Sequence, residues 1–352
     1  MEFLAEYGMF LAKVLTLVVS LLFVVGSIVS MGHRQRGDHV GHIEVVHLNE
    51  KYKVMGDAIR EAILSVADFK KLRKKDKKSE KSKAKSDKKV AKERAEGHAT
   101  IDKRVFVLHF DGDIKASATE SLREEISAVL KLANSGDEVV LCLESGGGMV
   151  HSYGLASSQL RRIIDAGVPL TIAVDKVAAS GGYMMACVAN KIIAAPFAMI
   201  GSIGVLAQIP NFHRLLKDNK VDFELLTAGE HKRTLTMFGE NTDQGREKFV
   251  EELEDTHLLF KSFVSEHRPQ IDINAVATGE VWFGERALNK QLVDELKTSD
   301  AYIAAAIDEA EVYEISYVHK KNWQERFGVS IEAAMERVGL KLWQQLVDRP
   351  KW

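Results

Sequence analysis

Cysteine is almost absent. Two thiols in 352 residues, Cys142 and Cys187, exclude a disulfide-stapled scaffold, and their separation lacks the ligand spacing of a zinc site. Cys142 falls in a run that predicts a buried strand and Cys187 in one that predicts a buried helix, so both read as small core hydrophobes. A metal motif is missing too. His42-Ile43-Glu44-Val45-Val46-His47 is not His-Glu-x-x-His, and on a strand His42 and Glu44 share a face that His47 does not. No metal and no cofactor is expected.

Aromatic residues are missing from the most basic stretch. Lys70 to Arg94 carries roughly +10 by side-chain count in a chain of net charge −2, so the remainder is acidic. Without aromatics among the lysines there is nothing for bases to stack on, which argues against a nucleic-acid partner. The stretch cannot bury enough apolar surface to fold alone. It reads as a solvated linker or charged helix, or as a contact for anionic lipid headgroups.

Long apolar runs are scarce. Val14 to Met31 is almost entirely apolar, and Met9 to Ala12 extends it past Lys13. About 20 helical residues span a hydrocarbon core, so the run predicts one transmembrane helix, with Lys13 snorkelling to the near interface. A cleaved signal peptide would have a basic start and a small-x-small site. Here Glu2 and Glu6 precede the run and no clear cleavage site follows, which favours a retained anchor. Orientation is pulled two ways. His33, Arg34, Arg36 and the lysines after the span would place the bulk of the chain in the cytoplasm by the positive-inside rule. Most of those lysines lie more than about 35 residues beyond the span, where that rule weakens.

Against these absences stands a regular alternation. Val105 to Phe110 and Glu138 to Leu143 predict strands, and Ser117 to Leu132 and Val150 to Ala166 predict helices, the second ended by Gly167 and Pro169. The spacing predicts an α/β fold of stacked units on a largely parallel sheet. Met55 to Phe69 reads as helical, Val221 to Thr227 as strand-like, and Asn322 to Trp352 as helices with an apolar stripe suited to packing or subunit contact.

Glycine turns punctuate the alternation. Asp175-Lys176-Val177-Ala178-Ala179-Ser180-Gly181-Gly182-Tyr183 follows the buried strand at Val168 to Val174 and opens a buried helix. Ser180 therefore sits at a helix N-terminus, where free N–H groups suit an oxyanion, and the two glycines would let a substrate backbone approach. A plain helix N-cap is the bland alternative. Ser145-Gly146-Gly147-Gly148 follows a second strand and forms an N–H-rich concavity suited to an anion. Gly201-Ser202-Ile203-Gly204-Val205 follows a third apolar run, and Gly229-Glu230-His231-Lys232-Arg233 offers Lys232 as a base, although such a charged neighbourhood is ordinarily surface.

Ala-Ser-Gly-Gly-Tyr, then Gly-Ser-Ile-Gly-Val, then a lysine about fifty residues after the first serine, resembles the serine peptidase family of signal peptide peptidase A, peptidase family S49. The resemblance covers about Val105 to Val293 and extends to the N-terminal layout. It departs at Gly146, where relatives often carry proline, so the turn here is less rigid. The resemblance implies a Clp/crotonase-like superhelix of β-β-α units and a membrane-anchored serine endopeptidase with a Ser-Lys dyad. Ser180 would be the nucleophile, Lys232 the general base, Ser202 the group that holds Lys232, and Gly147 and Gly181 the oxyanion donors. Substrates would be extended apolar peptides, such as signal-peptide remnants or misfolded envelope proteins. It also implies a bacterial inner-membrane location with a periplasmic active site.

Each motif occurs once, whereas long members of the family carry two tandem copies. The resemblance therefore implies a homo-oligomer whose dyad is shared between protomers. The expected organisation is an anchor at 1–32, a membrane-proximal segment at 33–100 with the lysine-rich linker at 70–94, a catalytic domain at 101–318 and a helical extension at 319–352. Three rivals stay open. A histidine base (His109, His151, His213 or His231) would follow the Ser-His-Asp logic of Clp-like enzymes. A crotonase-fold enzyme acting on acyl thioesters would use the glycine turn without Ser180 and Lys232. A non-catalytic membrane scaffold would use only the anchor and the C-terminal helices.

Overall fold

A computed structural model of the chain describes residues 7–11, 13–17, 20, 41–75, 103–229 and 232–319. Residues Ile43–Tyr317 form one compact unit. Residues 7–11, 13–17 and 20 are helical. Among the described residues no helix is long and apolar enough to cross a membrane. Most of the Val14 to Met31 run, most of the lysine-rich stretch and the Asn322 to Trp352 helices lie outside the described residues.

The sheet is built on parallel strands: β2 (Arg104–Gly112), β3 (Glu138–Ser145), β4 (Leu170–Val174) and β6 (Lys191–Ala194). β10 (Glu311–Val318) adds to β2 at one side and β9 (Glu295–Leu296) to β6 at the other, both parallel. β1 (His42–His47) lies beyond β10. Side chains alternate across the sheet. Phe106, Leu108, Phe110 and Leu141 pack with Leu122 and Ile126 of α2 (Thr119–Val129) and Tyr153 and Leu160 of α3 (Val150–Asp165). Val105, Val107 and Val140 face the other way, onto Leu48 of α1 (Leu48–Ile63) and Ile303 of α9 (Ser299–Glu309). Both faces are covered, which is why these strands read as continuous apolar runs rather than alternating ones. Each such side chain contributes roughly 1.5–3 kcal/mol when fully buried.

Three short strands branch off. β5 (Val177–Ala179) pairs with the last residue of β3, Ser145 opposite Ala178. β7 (Met199–Gly201) pairs in parallel with β5, and antiparallel with β8 (Val281–Phe283). The expected α/β architecture on a largely parallel sheet is found, and the β7–β8 pair is antiparallel. The apolar run before Gly201 forms two strands, β6 and β7, divided around Pro196, which cannot donate to a ladder. One expectation needs correction: Val221 to Thr227 is not a strand. It pairs with no strand among the described residues, and Val221, Phe223, Leu225 and Leu226 stay exposed.

Candidate active site

The short ladder brings three loops to one edge. Ser145 stands opposite Ala178, and Ala179 opposite Gly201. The chain leaves all three strands at their carboxyl ends, where open α/β sheets place ligands. The glycine turn 146–148, Ser180 and Ser202 therefore emerge side by side. The Ser180 N–H donates to the Gly201 carbonyl at 2.8 Å, and the Ser202 N–H to the Glu280 carbonyl at 2.7 Å.

Ser180 caps α4 (Gly181–Ala186) with φ 51° and ψ −118°. This is the conformation of the first central residue of a type II′ turn, which glycine ordinarily fills. Its hydroxyl does not bond the helix, so Ser180 is no ordinary N-cap serine. The elbow instead lifts the side chain out at a strand-to-helix turn, as in the sharp nucleophile turns of α/β hydrolases. Ser202 also has positive φ, at 50°.

Gly147 lies against this elbow. Its φ is 88°, and a Cβ on it would fall 2.6 Å from the Gly181 nitrogen and 2.8 Å from the Ser180 Cβ. The structure thus brings Ser180, Gly181 and Gly147 together. The Gly147 N–H is not idle, because it donates to the Ser145 Oγ at 3.1 Å. The expected role of the glycine pair after Ser180 is corrected. A Cβ on Gly181 would fall 2.4 Å from the Tyr153 ring, and one on Gly182 2.4 Å from the Ser145 carbonyl oxygen. These glycines admit the protein's own α3 and β3, not a substrate backbone. Gly146 has open space around it.

No hydrogen bond joins Lys232 to Ser180 among the described residues. Lys232 is exposed, on the segment between β7 and α6 (Asp243–His267). Among the described residues the Lys232 ammonium and the Ser180 and Ser202 hydroxyls have no side-chain hydrogen-bond partner. The segment carrying Lys232 packs mainly on itself. Phe212 stacks on Phe238 at 6.0 Å, Phe223 lies 5.7 Å from Phe238, and the Asn211 amide donates to the carbonyls of Thr236 and Gly239. Its apolar side chains remain outside, Leu206 at 78% and Leu226 at 90% exposure.

The histidine alternatives fare differently. His109 pairs with Glu314 at 3.1 Å. It sits on β2 beside Cys142 of β3. His151 opens α3 and His213 opens α5 (His213–Asp218). His231 lies outside the described residues. Both cysteines are free thiols. Burial pushes Cys142 up to about 11, and Cys187 is buried deeper still, so neither is a ready nucleophile. Among the described residues no cluster of metal-ligating side chains occurs.

The sequence reading missed Tyr153, which touches both halves of the site. Its signal was available only as an aromatic residue on the core face of a predicted helix.

The family model described as "Peptidase family S49 N-terminal" matches residues 2–160, and the one described as "Peptidase family S49" matches residues 162–313. The chain belongs to peptidase family S49. This S49 peptidase is 51% identical over 334 residues to "Probable protease SohB" of Haemophilus influenzae, covering 94% of each chain. It is 48% identical over 303 residues to the protein of the same name from Buchnera aphidicola subsp. Schlechtendalia chinensis, covering 86% of this chain and 99% of the relative. Among solved structures, a 1510-N membrane-bound stomatin-specific protease in complex with a substrate peptide matches at TM-score 0.40 and 13% identity, over 66% of this chain and 99% of that one.

Proposed function

We propose that this S49 peptidase is a membrane-anchored serine endopeptidase working through a Ser180–Lys232 dyad. The observation that carries the reading is the Ser180 elbow, a serine in glycine-like backbone geometry with the Gly147 turn packed against it. In the reaction Lys232 takes the Ser180 hydroxyl proton, and the oxygen attacks the scissile carbonyl carbon. The Gly147 and Gly181 N–H groups then stabilise the tetrahedral oxyanion. Returning the proton to the leaving amine yields an acyl-enzyme, and a water activated the same way releases the second product. The base must be neutral, while an exposed lysine titrates near 10.4. Burial in apolar surroundings lowers that value.

The exposed apolar segment carrying Lys232 supports a second copy of the chain as the source of that burial. In the assembled oligomer Lys232 of one protomer meets Ser180 of its neighbour, with Ser202 holding the amine. The anchor is the 1–32 segment, followed by the 33–100 membrane-proximal segment, the 101–318 catalytic domain and the 319–352 extension. The active site faces the periplasm from the bacterial inner membrane and takes extended apolar peptides or unfolded envelope proteins.

The test is hydrolysis of an unfolded protein by the purified full chain, with fluorophosphonate labelling of Ser180. Ser180→Ala and Lys232→Ala should each lose several orders of magnitude in rate. Lys232→Arg should stay inactive, because a guanidinium cannot take the proton. A Ser180→Ala protein within about tenfold of wild type would remove the serine from the mechanism, and an active Lys232→Arg variant would point to a histidine base.

A further inference from the structure

One buried side chain reaches both of the backbone donors that flank Ser180. Tyr153 is fully buried on α3. Its hydroxyl lies 2.7 Å from the Asp113 carbonyl and 2.6 Å from the Ser145 Oγ. A carbonyl only accepts, so Tyr153 donates to Asp113 and accepts the Ser145 hydroxyl hydrogen. The Ser145 Oγ is then left to accept from the Gly147 N–H at 3.1 Å. The chain of bonds has one consistent direction, from Gly147 through Ser145 and Tyr153 to Asp113. Burial pushes the Tyr153 phenol up, so it remains a neutral donor.

The other end of the same residue meets the nucleophile's helix. The absent Cβ of Gly181 would lie 2.4 Å from the first ring carbon of Tyr153. The hydroxyl end is enclosed in the same way. A Cβ on Gly112 would fall 2.5 Å from the Ser145 Oγ and 2.6 Å from the Tyr153 oxygen. Phe110 meets the ring edge-on at 6.5 Å. Two glycines thus form the walls of the slot that holds this ring, its hydroxyl and the Ser145 Oγ.

We infer that Tyr153 is a positioning residue that aligns the two oxyanion donors with each other, Gly181 through its ring and Gly147 through Ser145. The inference rests on the reading of Ser180 as nucleophile. Its physical basis is preorganisation. An oxyanion hole works because its donors are already placed when charge develops, and small displacements of such groups cost rate rather than affinity. The far end of the turn is pinned by the Met149 N–H on the Ile114 carbonyl at 2.9 Å, and the Gly147 N–H itself is held by the Ser145 Oγ. Ser145 holds that N–H in the resting enzyme and shares it with the oxyanion in the reacting one.

The experiment compares full-length wild type, Tyr153→Phe, Ser145→Ala and the double variant. Peptide kcat and KM are measured per active site titrated with fluorophosphonate. Tyr153→Phe keeps the ring under Gly181 and removes only the hydroxyl. It should lower kcat by about thirtyfold, less than the loss of a whole oxyanion donor, and leave KM within about threefold. Ser145→Ala should give a loss of the same order. Added to Ser145→Ala, the Tyr153→Phe change should cost less than about threefold more, since it acts through Ser145. Should Tyr153→Phe fail to fold, Ser145→Ala alone decides, because a purely structural serine would leave kcat per titrated site unchanged. A kcat within threefold of wild type in the single variants overturns the inference, and so do equal losses in both backgrounds. Absence of Ser180 labelling in wild type overturns the underlying nucleophile reading instead, and this inference with it.

Discussion

Ser180 holds a backbone conformation, φ 51° and ψ −118°, that costs a non-glycine residue about 1–3 kcal/mol. The neighbouring register leaves it no choice. Its N–H is committed to the Gly201 carbonyl, its carbonyl accepts from the Met184 N–H, and Gly147 fills the space beside it. Replacing Ser180 with glycine removes the strain and the proposed nucleophilic hydroxyl together. Ser180→Gly should therefore be inactive yet more stable than Ser180→Ala by about 1 kcal/mol in urea titration, after allowing for glycine's greater unfolded-state freedom. Equal stability of the two variants would mean that the elbow is unstrained. Sequence reasoning picked out Ser180 from its neighbours, but not this geometry, because φ and ψ are set by the ladder on either side. The glycines after it were legible as special and misread in purpose, since the Tyr153 ring and the Ser145 carbonyl that crowd them come from distant positions in the chain.

The joint between α2 and β10 is a local test of how elements are held. Glu125 on α2 is buried and accepts the Tyr317 N–H at 2.8 Å through one oxygen. Its other oxygen is buried without a hydrogen-bond partner. Burial raises this carboxyl above its ordinary value of 4.5, outweighing the Tyr317 bond. The sign follows from linkage. A folded value above the unfolded one means that protonation favours the fold, with stabilisation complete below about 4.5 and lost as pH rises through the raised value. Glu125→Gln should thus be more stable than wild type by about 1 kcal/mol at pH 7, with the difference vanishing toward pH 4. Asp137, Glu138 and Asp294 titrate in the opposite direction against their burial, Asp137 held low by Arg104, Glu138 by the Tyr302 hydroxyl and then Lys103, and Asp294 by Arg268. They are common to both proteins and cancel in the comparison. A variant no more stable than wild type at pH 7 would show that the buried oxygen costs nothing. The elements themselves were largely legible. The central strands and α3 were read within a residue or two, because both sheet faces are buried and the runs are unbroken. β5 was missed, since three residues carry no period to read.

At the scale of the molecule, the unit Ile43–Tyr317 brings Ser180, Gly147 and Gly181 together but leaves Lys232 exposed on a segment rich in uncovered apolar side chains. A dyad completed between protomers makes a strong prediction. Co-expressed Ser180→Ala and Lys232→Ala chains, each inactive alone, should recover part of wild-type hydrolysis, because some interfaces pair an intact Ser180 with an intact Lys232. No chain carries both residues, so a dyad formed within one chain cannot be rebuilt this way. Mixed oligomers demonstrated by pull-down of differently tagged chains, yet without recovered activity, would return the dyad to a single chain.

Periodicity and punctuation in the sequence were enough to determine an α/β chain on a largely parallel sheet, with serine and glycine turns at strand ends. Those features are local: runs of apolar residues choose strand or helix, and glycine marks where the backbone must turn sharply. Tertiary structure alone decided which turns meet. The pairing of Ser145 with Ala178, and of Ala179 with Gly201, converts three separate motifs into one edge. Tyr153 joined the site for the same reason, since a core tyrosine's partners are chosen by packing across the fold and leave no trace in its own neighbourhood. Lys232 marks the opposite limit, because an exposed side chain on a loop is placed by neither its own periodicity nor the packing of the core.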